Sequence, residues 1–268
     1  MSDSAAFARL GRPRRVWAVA ACHGAVDRLA RLHLAIAERF ALGDRLVYLG
    51  NYLGAGDPVG TIDHLLAFRT HLLARPGMIP EDFVYLRGMQ EEMWSKLLQI
   101  QFAPNPREVL AWMLERGAAA TVEAYGGDPK AGLAATRDGA MTMARWTNRL
   151  RDSIRQHAGH DKFMTVLHRA ALTDDTGNGG LLFVHAGIDP ARPLAAQGDS
   201  FWWAAGGFDR VTTRFETFTR IFRGYDPAKG GAKLEDYAVT LDGGATEGGP
   251  LLAASIAPDG SIDELFEA

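Results

Sequence analysis

Short apolar runs, each closed by a small or polar loop, set the frame of the first ninety residues. Residues 16–22, Val-Trp-Ala-Val-Ala-Ala-Cys, are continuously apolar, as a strand covered on both faces requires. His23-Gly24 break the run. Over 25–40, Val26, Leu29, Ala30, Ile36, Ala37 and Phe40 recur at helical spacing. Gly43-Asp44 predicts a turn, 45–49 a second strand, and 50–56 a glycine-rich loop. Asp57-Pro58 opens a helix running to about 74, with proline at the early position that helices favour. Residues 83–86 predict a third strand, ending at Arg87-Gly88. This alternation of strand and helix is the signature of parallel βαβ units.

From 90 to 170 the pattern changes to helix, broken at Pro104/Pro106, at 126–129 and at Gly159. It predicts a helical insertion beside the sheet. Beyond the turn cluster at 174–180, residues 181–184 predict another strand, ending at His185-Ala186-Gly187. Residues 235–257 alternate strand-like runs with glycine-rich turns, and Pro258-Asp259-Gly260 predicts the turn joining the last two strands. No repeat, and no disordered linker beyond the first dozen residues, is expected. Ligands of parallel sheets sit at the carboxyl ends of strands. The loops at 22–24, 50–56, 87–91 and 185–187 are therefore expected to converge on one crevice.

Composition narrows the classes. The 268 residues are 47% hydrophobic and 23% charged, which predicts one domain over 1–268 with a core large enough to fold without disulfide or structural metal. Cys22 is the only cysteine, which fits a reducing cytoplasmic setting. The formal net charge of -3 gives no footing for nucleic acid or an anionic membrane. Arg14-Arg15 ahead of 16–22 imitate a secretion signal, but the apolar stretch is too short. No run approaches the about 18 apolar residues of a membrane helix.

The order of the loop motifs resembles that of the calcineurin-like metallophosphoesterases. Ala21-Cys22-His23-Gly24, the loop Gly50-Asn51-Tyr52-Leu53-Gly54-Ala55-Gly56, Gly88-Met89-Gln90-Glu91, His185-Ala186-Gly187 and Arg223-Gly224-Tyr225 stand where that family carries its metal motifs. Trp112 to Gly117, Ala124-Tyr125-Gly126, Phe201-Trp202 and the ending Leu241 to Ala245 are similar to the branch of bacterial Ser/Thr phosphatases and diadenosine tetraphosphatases. The resemblance implies a four-layer α-β-β-α sandwich and a two-metal site that activates water and clamps a phosphoryl group.

Measured against that family's pattern, the side chains depart. Ala21 replaces a carboxylate ligand, Asn51 the bridging carboxylate, Met89 an amide ligand, and Tyr225 a late histidine ligand. Gly54, Ala55 and Ala204 replace polar or charged groups, and Gln90 replaces the general-acid histidine. A glutamine does not shuttle protons near neutral pH, and a thioether suits neither magnesium nor manganese. His23 and His185 are kept, with Asn51 a neutral third donor. No bimetallic cofactor is expected; the alternative is a single divalent ion, manganese or zinc, on His23, Asn51 and His185.

The resulting expectation is a pseudophosphatase that acts by binding a protein or a small phosphorylated ligand. The alternatives are a metal-independent phosphate or nucleotide sensor and a phosphoesterase with an altered single-metal site. If active, the chain would be Ser/Thr phosphatase-like or a dinucleoside polyphosphate phosphoesterase. Ligand-binding candidates are His23, Asn51, Arg87, His185, Arg223 and Tyr225, with Arg87 and Arg223 expected to form structural ion pairs ahead of any ligand contact. Adjacent residues at a strand end usually point opposite ways, so Cys22 and His23 are not expected to form a nucleophile–base pair. Glu91-Glu92 are expected to serve the first turn of a helix. Residues 93, 94, 112, 113 and 146 are expected to be core.

Overall fold

The computed structural model describes residues 7–175 and 177–268. Strand β2 (Arg15–Val19) lies parallel to β3 (Asp44–Tyr48), which lies parallel to β4 (Phe83–Tyr85). These strands are buried along nearly their whole length, which is why their sequences run apolar without alternation. Helix α1 (Val26–Arg39) connects β2 to β3, and α2 (Pro58–Leu73) connects β3 to β4. The Asp57 carboxylate caps α2 by accepting the Gly60 N–H at 2.8 Å.

Antiparallel β10 (Leu252–Ile256) and β11 (Ile262–Glu267) complete a five-stranded sheet in the order β11-β10-β2-β3-β4. The turn predicted at 258–260 joins them. A second, six-stranded sheet has the order β1-β5-β6-β7-β9-β8. Its members are β1 (Phe7–Gly11), β5 (Ala170–Thr173), β6 (Gly180–Val184), β7 (Phe218–Arg223), β8 (Lys233–Leu234) and β9 (Ala238–Thr240).

Alternation along the second sheet builds the layers. Ala171, Leu181, Phe183, Phe222 and Val239 join the large core that also holds Trp17, Val19 and Val47 of the first sheet. Phe183 and Phe222 stack at 5.1 Å within it. The neighbouring residues Ala170, Leu172, Leu182 and Val184 face the other way, onto Phe201, Trp202 and Phe208 of the short helices α9 (Ser200–Trp203) and α10 (Ala205–Phe208). The predicted four-layer sandwich follows, with α1 and α2 outside one sheet and α9 and α10 outside the other.

The helical insertion is present as α3 (Met89–Leu97), α4 (Pro106–Met113), a π turn at Leu114–Ala118, α5 (Ala119–Ala124), α6 (Pro129–Asp138), α7 (Ala140–Gln156) and α8 (His160–Thr165). Three strands depart from the sequence expectation. β1 lies within the first dozen residues, β5 begins at the end of the supposed helical stretch, and β7 carried no recognised pattern. Parallel pairing of β1 with β5 joins residues far apart in sequence, so neither strand is visible in a local window. Among the described residues no helix is long and apolar enough to cross a membrane.

Candidate functional site

Loops following β2, β3, β4, β6 and β7 meet at one end of the two sheets, as the parallel topology requires. Backbone hydrogen bonds stitch them together. The His23 N–H donates to the Asn51 carbonyl at 2.5 Å, the Ala21 N–H to the Gly224 carbonyl at 3.0 Å, and the Gly224 and Tyr225 N–H groups both to the His185 carbonyl at 3.0 Å. His23 and Asn51 hold positive φ, 49° and 51°, a conformation in which asparagine and histidine are enriched. Gly50 sits at φ 94°, and a Cβ there would lie 2.7 Å from His185 Nδ1. Only glycine fits the turn that brings these loops so close.

Glu91 locks this frame from below. Its carboxylate accepts the Asn51 N–H (2.9 Å) and Gly88 N–H (2.8 Å) on Oε2, and the Leu53 N–H (2.9 Å) on Oε1. It stands at the third position of α3, the acidic partner of a capping arrangement. Burial pushes its pKa up against the pull of those N–H donors. The expectation that Glu91 serves the helix start is met, and its reach into the 50–53 loop exceeds it. Glu92 pairs instead with Arg87 at 3.2 Å and Lys96 at 3.5 Å.

Above the frame His23, Gln90 and Tyr225 line the crevice, and Asn51 and His185 lie buried directly behind them. The Asn51 amide is oriented by the Gln90 N–H, which donates to Oδ1 at 2.9 Å. Its Nδ2 therefore points to His23 Nε2, at 3.3 Å, so His23 Nε2 accepts. His185 donates from Nδ1 to the Leu49 carbonyl at 2.6 Å, leaving Nε2 as a buried lone pair without a partner. Tyr225 packs against both imidazoles, stacked on His185 at 5.4 Å and tilted on His23 at 5.2 Å. Burial holds both histidines neutral: His23 is pushed down to about 3, helped by repulsion from His185, and His185 to about 4. Burial also raises Tyr225, with Asp242 and Asp226 adding to it.

The crevice itself is a cavity of about 460 Å³. Beside His23, Gln90, Met89 and Tyr225 its walls are Trp112, Trp202, Trp203, Arg116 and Lys229, and among the described residues no carboxylate lines it. Trp112 and Trp203 meet at 5.7 Å, and the Arg116 guanidinium lies 4.5 Å over Trp112. Gln90 is anchored, donating from Nε2 to the Arg116 carbonyl at 2.7 Å. Among the described residues there is no group of three His, Cys, Asp or Glu side chains placed to hold a metal ion.

Several sequence candidates land elsewhere. Arg223 is fully buried beneath the crevice. Its guanidinium bonds Asp209 (2.8 Å), Asp226 (3.2 Å) and Thr240 (2.8 Å) and lies over Phe208. It is a structural cation and not a ligand contact. Arg87 lines a separate cavity with Trp94 and Arg151. Its carbonyl accepts the Trp202 indole N–H at 2.9 Å. The Cys22 thiol is buried, raised by burial, and donates to the Ala20 carbonyl at 3.6 Å, so it offers no nucleophile. Met93, Trp94, Met113 and Trp146 are core as expected, but Trp112 is 37% exposed and belongs to the crevice. Trp203, Arg116 and Lys229 were missed. Only the indole pair at 202–203 signalled any of them.

No protein-family model and no curated protein matches the sequence. Solved structures do match. A provisionally assigned diadenosine tetraphosphatase aligns at 18% identity over 97% of each chain, with TM-score 0.50. A protein serine/threonine phosphatase from Saccharomyces cerevisiae with similarity to human phosphatase PP5 aligns at 13% identity, over 99% of this chain and 85% of the other, with TM-score 0.54. Both are calcineurin-like metallophosphoesterases. At such identities the likeness concerns the fold: this chain has the metallophosphoesterase fold.

Proposed function

We propose that this chain uses a phosphoesterase frame for binding and performs no metal-dependent hydrolysis. The observation that carries the reading is the mutual engagement of the two best ligand candidates. The Asn51 amide donates to His23 Nε2, and its oxygen is held by the Gln90 N–H. Among the described residues, His185 Nε2 and the neutral amide oxygen Gln90 Oε1 are the buried acceptors left unused there. Two adjacent dications repel strongly unless carboxylates lie between them, and hard cations favour oxygen donors. The residues present do not fit such a pair. Gln90, standing where the resemblance implies a histidine acid, cannot protonate a leaving oxygen.

What the crevice suits is a flat or apolar group bearing negative charge, carried on a protein segment or a small phosphorylated ligand. Trp112, Trp203 and Tyr225 supply faces for it, and Arg116 and Lys229 the charge. Hydrolysis of p-nitrophenyl phosphate and diadenosine tetraphosphate, with manganese added, is expected to stay at the buffer rate. Turnover that vanishes in His23→Ala would overturn the proposal.

The free His185 Nε2 favours one other reading, a single ion on His23, Asn51 and His185. That ion would require the Asn51 amide to turn over and leave the Gln90 N–H. Elemental analysis of protein purified without chelator separates the two readings, and near-stoichiometric zinc or manganese would decide for the second.

A further inference from the structure

We propose that the gap between the outermost strands of the two sheets is a second binding site, for an anion that carries an apolar or aromatic body. β1 ends one sheet and β4 ends the other. Both edges face a cavity of about 660 Å³, roofed by α2 and α8. It shares no lining residue with the crevice at the strand ends.

Two properties set this cavity apart. The first is its charge. Arg9, Arg69 and Lys162 line it, against a single acid, Glu81. Among the described residues none of the three cations lies within ion-pair distance of a carboxylate. In the crevice Lys229 is paired with Glu247 and Arg116 lies over Trp112, so fewer uncommitted cations face an anion there. The second is an orphaned donor. Tyr85 is 5% exposed, its ring clamped by Tyr48 at 5.0 Å and Phe163 at 5.1 Å, yet among the described residues its hydroxyl has no hydrogen-bond partner. Buried hydroxyls are nearly always satisfied. Phe7, Phe83 and Phe163 complete the walls.

Cations on edge strands also keep sheets from pairing with other chains. That role explains Arg9 on β1. It does not explain Arg69 and Lys162, which stand on helices, or the unused Tyr85 hydroxyl. An anion held by the three cations, with its body against the phenyl rings and an acceptor on Tyr85, accounts for all of them.

The probe is phenylphosphonate, which resists hydrolysis, titrated by calorimetry into the full chain beside inorganic phosphate. Saturable millimolar or tighter binding is expected, at least about threefold tighter for phenylphosphonate because its ring is buried. Arg69→Gln is expected to weaken it about tenfold, the loss of one charge-assisted bond. Lys162→Gln, at an exposed position, repeats that test without risk to the fold. Tyr85→Phe is expected to weaken binding while leaving Tm unchanged or higher, since it removes an unsatisfied buried group. Arg137→Gln, exposed on α6 and lining neither cavity, is expected to change nothing. The proposal is overturned by absence of saturation, by equal affinity for the two anions, or by loss of binding in Arg116→Gln with retention in Arg69→Gln.

Discussion

Glu91 and His185 are both buried at the strand-end crevice, and their polar atoms meet different fates. Glu91 places both oxygens on backbone N–H groups of two loops. His185 uses one nitrogen to hold the Leu49 carbonyl and leaves the other without a partner. The carboxylate is spent on the frame; the imidazole keeps one nitrogen unused beneath Tyr225, which lines the crevice. The frame therefore stands on contacts that no cation takes part in. Above that frame the side chains engage one another, Asn51 with His23 and Tyr225 with both imidazoles.

The largest expected effect tests that division directly. Glu91→Ala strands three buried N–H donors and is expected to cost about 3–5 kcal/mol, the usual loss when one partner of a buried charged network is removed. His185→Ala removes one hydrogen bond and a ring stack and should cost clearly less. Urea denaturation of both variants measures it. Equal losses would erase the distinction between frame and crevice.

Gly88→Ala sharpens the same point sterically. The Gly88 φ is an ordinary -94°, so alanine is not barred by backbone conformation. A Cβ there would lie 2.3 Å from Asn51 N and 2.4 Å from Asn51 Oδ1. The expected cost is about 1–3 kcal/mol, as for other overpacked sites, with loosening of the Asn51 loop. A variant as stable as the parent would mean that the loops are not held as tightly as these distances imply.

The sequence revealed the frame better than the crevice. β2, α1, β3, α2 and β4 were legible because each is a local pattern: an apolar run, a helical period, a proline at the first turn. The loop glycines were legible because they stand at fixed offsets from those runs. β1, β5 and β7 were not, since what makes them strands is pairing across the chain. For side chains the limit was direction. Arg87 and Arg223 follow strands at the right place, but one pairs with Glu92 and the other is enclosed by Asp209 and Asp226. Trp112 has helical spacing suited to core and yet faces outward beside Trp203. Neighbours remote in sequence decide each of these, and residue type does not report them.

The smallest expected effect concerns the buried histidines and acid. His33 lies on α1, away from the crevice, and its Nε2 shares a hydrogen bond with the Tyr48 hydroxyl at 2.8 Å. Its ring is pressed against Phe68 at 3.7 Å. Burial pushes its pKa down to about 2, with His64 adding to the shift. In the unfolded chain its value returns to near 6.5. Below that pH the unfolded state takes up a proton that the native state refuses, so stability is complete above about 6.5 and falls as pH drops toward the native value. The share due to His33 is about 1–2 kcal/mol by pH 5, and His185 acts in the same direction. Glu91 acts oppositely, because its native pKa is raised and the native state protonates first. The wild type alone therefore reports a mixture, and the difference between variants isolates one group. His33→Gln keeps a side chain that can accept from Tyr48 and removes the titration. Its stability is expected to fall less between pH 7 and pH 5 than that of the wild type, by about 1–2 kcal/mol. Parallel pH profiles for the two proteins would show that His33 is accessible to protons in the native state, contrary to its packing.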